Sequence, residues 1–514
     1  MGIRERIGWM YELLSEAFGR PRERTVTVGL ASAAAAAAVM LFSWGSNLSL
    51  EAAGPRVATG VAAAAEQAGN VRDIGSRREL FVDDYLIEHL RGAALKMHAP
   101  QLAPPSPKPR PPGHYATVIK DGPLYRFYSR GDKVPGLHWG KDGWEAYHLN
   151  EVTLYAESND GVHWTEPDLG LYKVDRYPAG NVVLADEFLV NHNFTPFIDA
   201  RPGVPHDERY KAVGGLPFRA DHQHLREKYG PGGLKAFVSP DGIHWKRLRK
   251  EPIIPEDWGA FDSQNVAFWS DAEGCYVCYF RTFVKGFRSI SRSTSADFIH
   301  WTDPVAMNAN LPGEHLYTNG THPYFRAPHL YVALPTRFQA DRASITDVML
   351  MSSRTGARYD RTFKEAFIRP GLGQGGWGNR SNYAAWHVVP TGADEMSIYV
   401  TGGRRYVMRC DGFASVHAGY ETGEMVTKPL VFEGKRLTIN FSTSAGGCVR
   451  AEIQDASGQA VPGFALDDCP GIFGDEIARV VKWKAGPDVS RLAGKPVRLR
   501  FVMQDADLFS FRFE

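Results

Sequence analysis

One short phrase recurs three times in this chain: Ser158-Asn-Asp-Gly-Val-His-Trp164, Ser239-Pro-Asp-Gly-Ile-His-Trp245 and Ser295-Ala-Asp-Phe-Ile-His-Trp301. Asp-Gly supplies a tight turn that tolerates positive φ, and Ile/Val-His-Trp restarts a strand with an aromatic anchor. A fourth, worn copy lies at Ser352-Ser-Arg-Thr-Gly-Ala-Arg-Tyr359. A turn-plus-strand phrase repeated in this way is the signature of a repeat architecture.

A second repeat runs in step with the first. A pair of apolar, aromatic-rich strands is predicted at 115–119 with 125–131, 196–198 with 210–215, 265–269 with 276–281, 323–325 with 331–337, and 383–387 with 396–403. The second members start at 125, 210, 276, 331 and 396, so successive units are between 55 and 85 residues long. Each unit has room for four short strands, and five such units close into a ring. The spacing therefore predicts a five-bladed β-propeller over residues 77–410. With 52 Gly, 33 Pro and 12% aromatic residues, the composition suits short strands and turns better than helices. After about Asp411 the pattern changes to alternation of apolar and polar residues, at 437–441, 449–453, 497–501 and 509–513. That is the period of half-buried antiparallel strands, and it predicts a C-terminal β-sandwich over 411–514 with no catalytic constellation of its own.

Lys+Arg 59 against Asp+Glu 58 leaves a net charge of +1, without the basic excess of a nucleic-acid binder. No phosphate-binding glycine motif follows a predicted strand, and no organic cofactor is expected. His222-Gln-His224 is a lone pair in a loop and reads as a solvated surface rather than a metal site. Five cysteines fit an exported protein that is not disulfide-dense. Cys275 and Cys278 point to opposite faces of one strand, whereas Cys448 and Cys469 are candidates for a bridge. No charged residue occurs between Arg24 and Glu51, and Arg20, Arg22 and Arg24 precede this gap. Residues 1–50 thus read as an export signal or a membrane anchor, with attachment through 25–44, and 51–76 as a flexible linker. The expected location is periplasmic or extracellular.

The five paired-strand units, the Ser-x-Asp-Gly-x-His-Trp phrases and the trailing sandwich together resemble the invertase and arabinanase group, glycoside hydrolase families 32 and 43. Glu79-Leu-Phe-Val-Asp-Asp-Tyr-Leu-Ile87 and Ala260-Phe-Asp-Ser-Gln-Asn265 further resemble exported bacterial proteins, common in planctomycetes, that are themselves similar to those hydrolases. Sialidase propellers carry a related phrase, but there the Gly and the Trp each come one residue later.

In a propeller the residues before each innermost strand converge on one mouth of the channel. Here they are His114 and Tyr115, then Asn193, Thr195 and Asp199, then Asp262, Gln264 and Asn265. Blade four adds Glu314, His315, Thr318 and Asn319, and blade five adds Asn382, Trp386 and His387. Amides and carboxylates take hydrogen bonds from sugar hydroxyls and an indole covers a pyranose face, so a carbohydrate partner is expected. Arg281 and Arg337 end the second strands of blades three and four and would reach an acidic substituent or pair between blades. Glycoside hydrolysis needs two carboxyl groups beside the scissile bond. The resemblance implies Asp262 as the tuning or basic aspartate and Glu314 as the acid. Asp83 or Asp84 would be the early carboxylate, because blade one has no Asp where those families place theirs. Three classes follow: a glycosidase of this kind, a carbohydrate-binding propeller without turnover, or a sialidase-like hydrolase whose arginines converge on an acidic sugar.

Overall fold

The computed structural model describes residues 71–106 and 114–514. The expected anchor at 25–44 and most of the linker lie outside the described residues. Among the described residues no helix is long and apolar enough to cross a membrane.

Five antiparallel blades follow one another along the chain, each wound outward from its first strand. Blade one is His114–Asp121, Leu124–Asp132, Glu151–Ser158 and Val182–Leu184. Blade two is Thr195–Ile198, Tyr210–Gly214, Gly233–Ser239 and Lys246–Arg247; blade three is Val266–Ser270, Cys275–Val284, Phe287–Ser295 and Val305–Ala306. Blade four is split into two three-stranded sheets, because its second strand breaks between Ala327–Ala333 and Thr336–Gln339 at Pro335, which has no N–H to donate. Blade five pairs Val389–Pro390, Glu395–Val400 and Arg404–Arg409, and its outer strand is Gln101–Leu102, from ahead of blade one. That exchange closes the ring. The first strands of neighbouring blades lie side by side around the channel, and Thr117 of blade one bridges Trp386 of blade five.

The repeated phrase is the same turn in each copy. Asp160 accepts from the backbone N–H of Val162 and His163 at 2.7 and 2.8 Å and from His163 Nδ1 at 2.7 Å. Asp241 and Asp297 do the same with residues 243–244 and 299–300. The residue after each Asp has positive φ: 74° at Gly161, 77° at Gly242 and 69° at Phe298. These turns also latch the blades together. Tyr128 of blade one donates to Gly242 O of blade two at 2.8 Å, and Tyr399 of blade five donates to Gly161 O of blade one at 2.5 Å. Trp245 and Trp164 pack their rings against those same two tyrosines, whereas Trp301 rests on its own turn residue Phe298. The worn copy is a true fourth turn, in which Gly356 O accepts from Tyr279 at 2.5 Å. Asp241→Ala is expected to destabilise the fold by about 1–3 kcal/mol, since it deletes hydrogen bonds to a charged acceptor. Chemical denaturation measures this, and a change under a few tenths of a kcal/mol would refute it.

The sandwich is one ten-stranded hydrogen-bonded sheet, folded over by two long strands, Leu437–Asp455 and Val497–Phe513. Register shifts at Asn440/Phe441 and Thr443/Cys448 bend the first of these, so that one apolar core forms from Ile74 and Phe81 through Phe441, Trp483 and Phe513. Four of its strands come from the N-terminal side: Arg72–Gly75, Glu79–Leu80, Ile87–Arg91 and Ala93–Met97. Residues 72–97 therefore pair with the C-terminal sheet, where sequence had assigned them to the linker and to the start of the propeller. The alternation of these short strands is the same on either sheet, and only the partner decides. All five cysteines are free, Cys448 and Cys469 included.

The junction explains two conspicuous acids. Asp411, fully buried, accepts from Tyr324 Oη at 2.9 Å and Ser510 Oγ at 2.6 Å, and faces Arg78 at 3.4 Å. Asp83 is clamped by Arg354 of the worn fourth turn at 2.7 and 3.1 Å, and Glu79 meets the same guanidinium. Asp83 ties the sandwich to blade four and is not one of the residues lining the channel mouth.

Candidate functional site

A cavity of about 540 Å³ opens where the five blades converge. One wall is aromatic. Trp139, Trp144 and Tyr147 come from two short helices, Trp139–Asp142 and Trp144–Leu149, inserted between the second and third strands of blade one. Phe218, from the loop after the second strand of blade two, completes that wall. The insert is held in place by Glu145, which accepts from Lys228 at 2.9 Å and Tyr229 at 2.7 Å, and by Trp144 against His222 at 4.2 Å between ring centres. The facing wall carries Arg288, Tyr317, Arg380 and Tyr383 from blades three to five. His114, Tyr115, Arg130, His192 and Asp262 form the base.

The base is a chain of charges. Glu151, buried beneath it, accepts from His148 Nδ1 at 2.8 Å and His192 Nδ1 at 2.7 Å, and Arg130 lies 3.4 Å away. The other nitrogen of His192, Nε2, donates to Asp262 Oδ1 at 2.9 Å. A carboxylate on each nitrogen favours the imidazolium form of His192. Burial opposes that charge, but Glu151 and Asp262 outweigh it and raise the pKa above the usual histidine value. Asp262 reaches Arg281 Nη2 at 3.6 Å and opens into the cavity, its side chain 55% exposed. Burial within the cavity walls works against its charge, yet His192, Arg281 and Arg130 hold its carboxyl well below the usual carboxylate range. It is therefore an anion at any physiological pH. Enclosure by the cavity walls, with Arg130 and His192 nearby, pushes His114 down to about 4, so this imidazole is neutral. Burial raises the Tyr115 and Tyr383 phenols, which stay protonated.

His148, Glu151 and His192 bring ligand atoms close enough to share a cation. They satisfy one another by hydrogen bonds instead. Arg130 also lies within 2.9 and 3.2 Å of the two His192 nitrogens, which places a fixed positive charge where an ion would sit. The arrangement suits a proton-bearing relay better than a metal site.

Of the residues expected at the mouth, Asp262, His114 and Tyr115 line the cavity, and Arg281 supports Asp262 from behind. The others do not reach it. Glu314 is buried and paired two-pronged with Arg361 at 2.9 and 3.1 Å. Arg337 is locked to Asp347 across two strands of its own blade at 3.0 and 2.6 Å. Asp199 holds Lys211 and Tyr276. The amides are turned to the backbone: Asn193 donates to Gly215, Phe261 and Ser263 carbonyls, Asn265 to Phe261 and Ser263, and Asn319 to Tyr279. Gln264 crosses the channel to Ala116 O at 2.8 Å, and Trp386 donates to Thr321 O at 2.8 Å, with His387 stacked on it. Inner strands start with unpaired backbone groups in a buried place, and those groups must find partners. The amides serve that need and plug the channel.

Sequence reasoning missed Arg130, His192, Tyr317, Arg380 and Tyr383 as site residues. A signal was there. His192, Asp262, Tyr317 and Arg380 each stand one to three residues before a buried amide, namely Asn193, Asn265, Asn319 and Asn382. The amide takes the backbone and the residue before it faces the cavity. Because Glu314 stands apart, Glu314→Gln is expected to cost about 1–3 kcal/mol of stability through Arg361, with any turnover per folded molecule unchanged. A loss of turnover in a fully folded variant would restore Glu314 to the chemistry.

No family model and no curated protein matches the chain. Several solved structures are similar in shape. One is a glycoside hydrolase family 43 arabinoxylan arabinofuranohydrolase from Bacillus subtilis, at 14% identity and TM-score 0.37, covering 78% of this chain and 95% of that one. Another is an exo-β-1,3-galactanase from Phanerochaete chrysosporium, at 9% identity and TM-score 0.37, covering 82% and 100%. A third is an N-acetylgalactosamine deacetylase from F. plautii, at 14% identity and TM-score 0.38, covering 79% and 95%. Likeness of this degree carries no weight for the chemistry, which rests on the residues themselves.

Proposed function

We propose that this chain is a carbohydrate-active enzyme, a glycoside hydrolase whose sugar sits in the cavity at the propeller mouth. The observation that supports this most is Asp262: a permanently ionised carboxylate, open to solvent, at the base of a cleft walled by Trp139, Trp144, Tyr147 and Phe218. Flat aromatic faces suit pyranose rings, and a fixed anion beside them suits the cationic character of a glycosyl transition state. In this reading Asp262 is the basic or charge-stabilising carboxylate. Among the described residues lining the cavity no second carboxyl faces it, and the proton-bearing groups beside Asp262 are His192, whose Nε2 donates to it, and a set of phenols. Tyr115, Tyr317 and Tyr383 lie together beside Asp262, and in sialidases, an exception to the two-carboxylate pattern, a tyrosine takes the nucleophile's place, a role open to one of these phenols with Asp262 as its base. Export, or tethering through residues 25–44, belongs to the same proposal, supported by the uncharged stretch behind a basic flank.

The single lining carboxylate also favours a second reading, a propeller that binds glycans without cleaving them. One experiment separates the two. The full chain is incubated with a panel of plant and animal oligosaccharides, with new reducing ends and direct binding both measured. Cleavage of any of them supports the hydrolase. Binding throughout with no cleavage supports the binding protein, and neither binding nor cleavage would refute the saccharide site.

A further inference from the structure

We propose that Arg288 and Arg380, backed by Arg281, form a subsite for an anionic substituent, a carboxylate or a sulfate ester, on the sugar. This rests on the saccharide reading of the cavity. Four guanidiniums line the cavity, those of Arg130, Arg219, Arg288 and Arg380, against one carboxylate, Asp262. Arg130 is already engaged by Glu151. The facing wall is different. Arg288 has no carboxylate within ion-pair distance among the described residues. Its guanidinium is cradled by rings, 4.8 Å from the centre of Phe338, 5.1 Å from Tyr317 and 5.6 Å from Phe283, and its Nε is buried without a hydrogen-bond partner. Arg380 flanks the same pair of rings, 5.7 Å from Tyr317 and 5.8 Å from Phe338, and is likewise without an ion pair among the described residues. Its backbone has φ of 52° and donates to Ser344 O at 2.9 Å, which fixes the direction in which the side chain leaves. Arg281, 6% exposed, reaches Asp262 with Nη2 at 3.6 Å, while its Nη1 is buried without a hydrogen-bond partner.

Arg281, 4.9 Å from the Tyr317 centre, brings a third like charge to that ring; the three repel one another, and burial and Arg281 hold Arg288 below the usual arginine pKa. An oxyanion between Arg288 and Arg380 would relieve that repulsion and take the two-pronged hydrogen bonds for which a guanidinium is shaped. Faces of Tyr and Phe hold each fork in place without using its N–H groups, leaving those donors for a ligand. From the sequence, Arg281 and Arg337 would reach an acidic substituent or pair between blades. Arg337 is bound to Asp347, and the charges without an ion pair are Arg288, at the start of the third strand of blade three, and Arg380, in the loop before blade five.

The test is calorimetric binding by the full chain, and by Arg288→Gln and Arg380→Gln variants, of digalacturonate, its neutral methyl ester and a 6-sulfated galactose disaccharide. The parent is expected to bind at least one anionic probe about tenfold to a hundredfold more tightly than the ester, the range set by charge-assisted hydrogen bonds. Which probe wins distinguishes carboxylate from sulfate. Each variant should lose that preference while keeping its affinity for the ester, and raising salt should erode the same difference. Arg288→Lys, which retains the charge but not the fork, should fall in between. Equal binding of anionic and neutral probes by the parent overturns the anion subsite and leaves the saccharide site standing. Absence of binding by all three probes overturns it as well, and the oligosaccharide panel then decides whether the saccharide site survives. Variants that keep the anionic preference show that the guanidiniums are merely packed on the rings.

Discussion

Asp262→Asn is expected to lower turnover of any glycoside the parent cleaves by about 10²–10⁴-fold, the usual contribution of a positioned acid–base group. Binding of the same sugar should change by less than about tenfold, because a single neutral hydrogen bond is worth roughly 0.5–1.5 kcal/mol. The substitution keeps size and an acceptor for His192 Nε2 and removes only the charge that His192 and Arg281 hold in place. Folding should be little affected, since the carboxylate opens into the cavity rather than packing in the core. Tyr115→Phe, which removes one proton from the base of the cavity, should reduce turnover in the same direction. Were the Asn variant to turn over at near the parental rate, Asp262 would be a binding residue and the chemistry would lie elsewhere.

The largest structural effect is expected at Glu151, which no sugar would touch. Glu151→Gln leaves Arg130 and His192 without their shared counter-charge in a buried place, where breaking such a pair costs about 3–5 kcal/mol. The pH dependence has a definite sign. Burial opposes the charge of Glu151, but His192 and His148 depress its pKa below the ordinary 4.5. Its contribution is therefore complete above that value and is lost as pH falls below it. His192 is raised above its ordinary 6.5, so its contribution is complete below 6.5 and fades as pH climbs through the raised value. Parental stability should hold a plateau between these limits, and the Gln variant should lose much of the fall on the acid side. Denaturation midpoints across pH 3 to 9 would show it. Overlapping acid limbs in parent and variant would mean that Glu151 is not ionised in the fold.

The periodic parts of the fold were legible in the sequence because they depend on neighbours in the chain. Asp160, Asp241 and Asp297 accept from N–H groups two and three residues on, so the turn is written within its own phrase, and the alternation of the paired strands shows which face is buried. Five units of this length, with their order, then leave closure as the natural way to cover the sheet edges. Asp262, His114 and Tyr115 were found for the same reason, since they stand at the start of a strand whose place in the ring the repeat determines.

What sequence could not assign were choices among equivalent partners. Glu314 and Asp83 carry the same carboxyl as Asp262, and nothing along the chain says that Arg361 and Arg354 lie beside them. An amide before an inner strand serves a ligand or a bare carbonyl equally well, and the closed ring buries the carbonyls first. The strands at 72–97 alternate like any edge strand, and their place in the sandwich follows from which sheet lacked neighbours. Local geometry is settled by bonds a few residues long. Whether a charge is free for chemistry is settled by what lies across the fold, at separations such as the 70 residues between His192 and Asp262, and only the closed structure decides that.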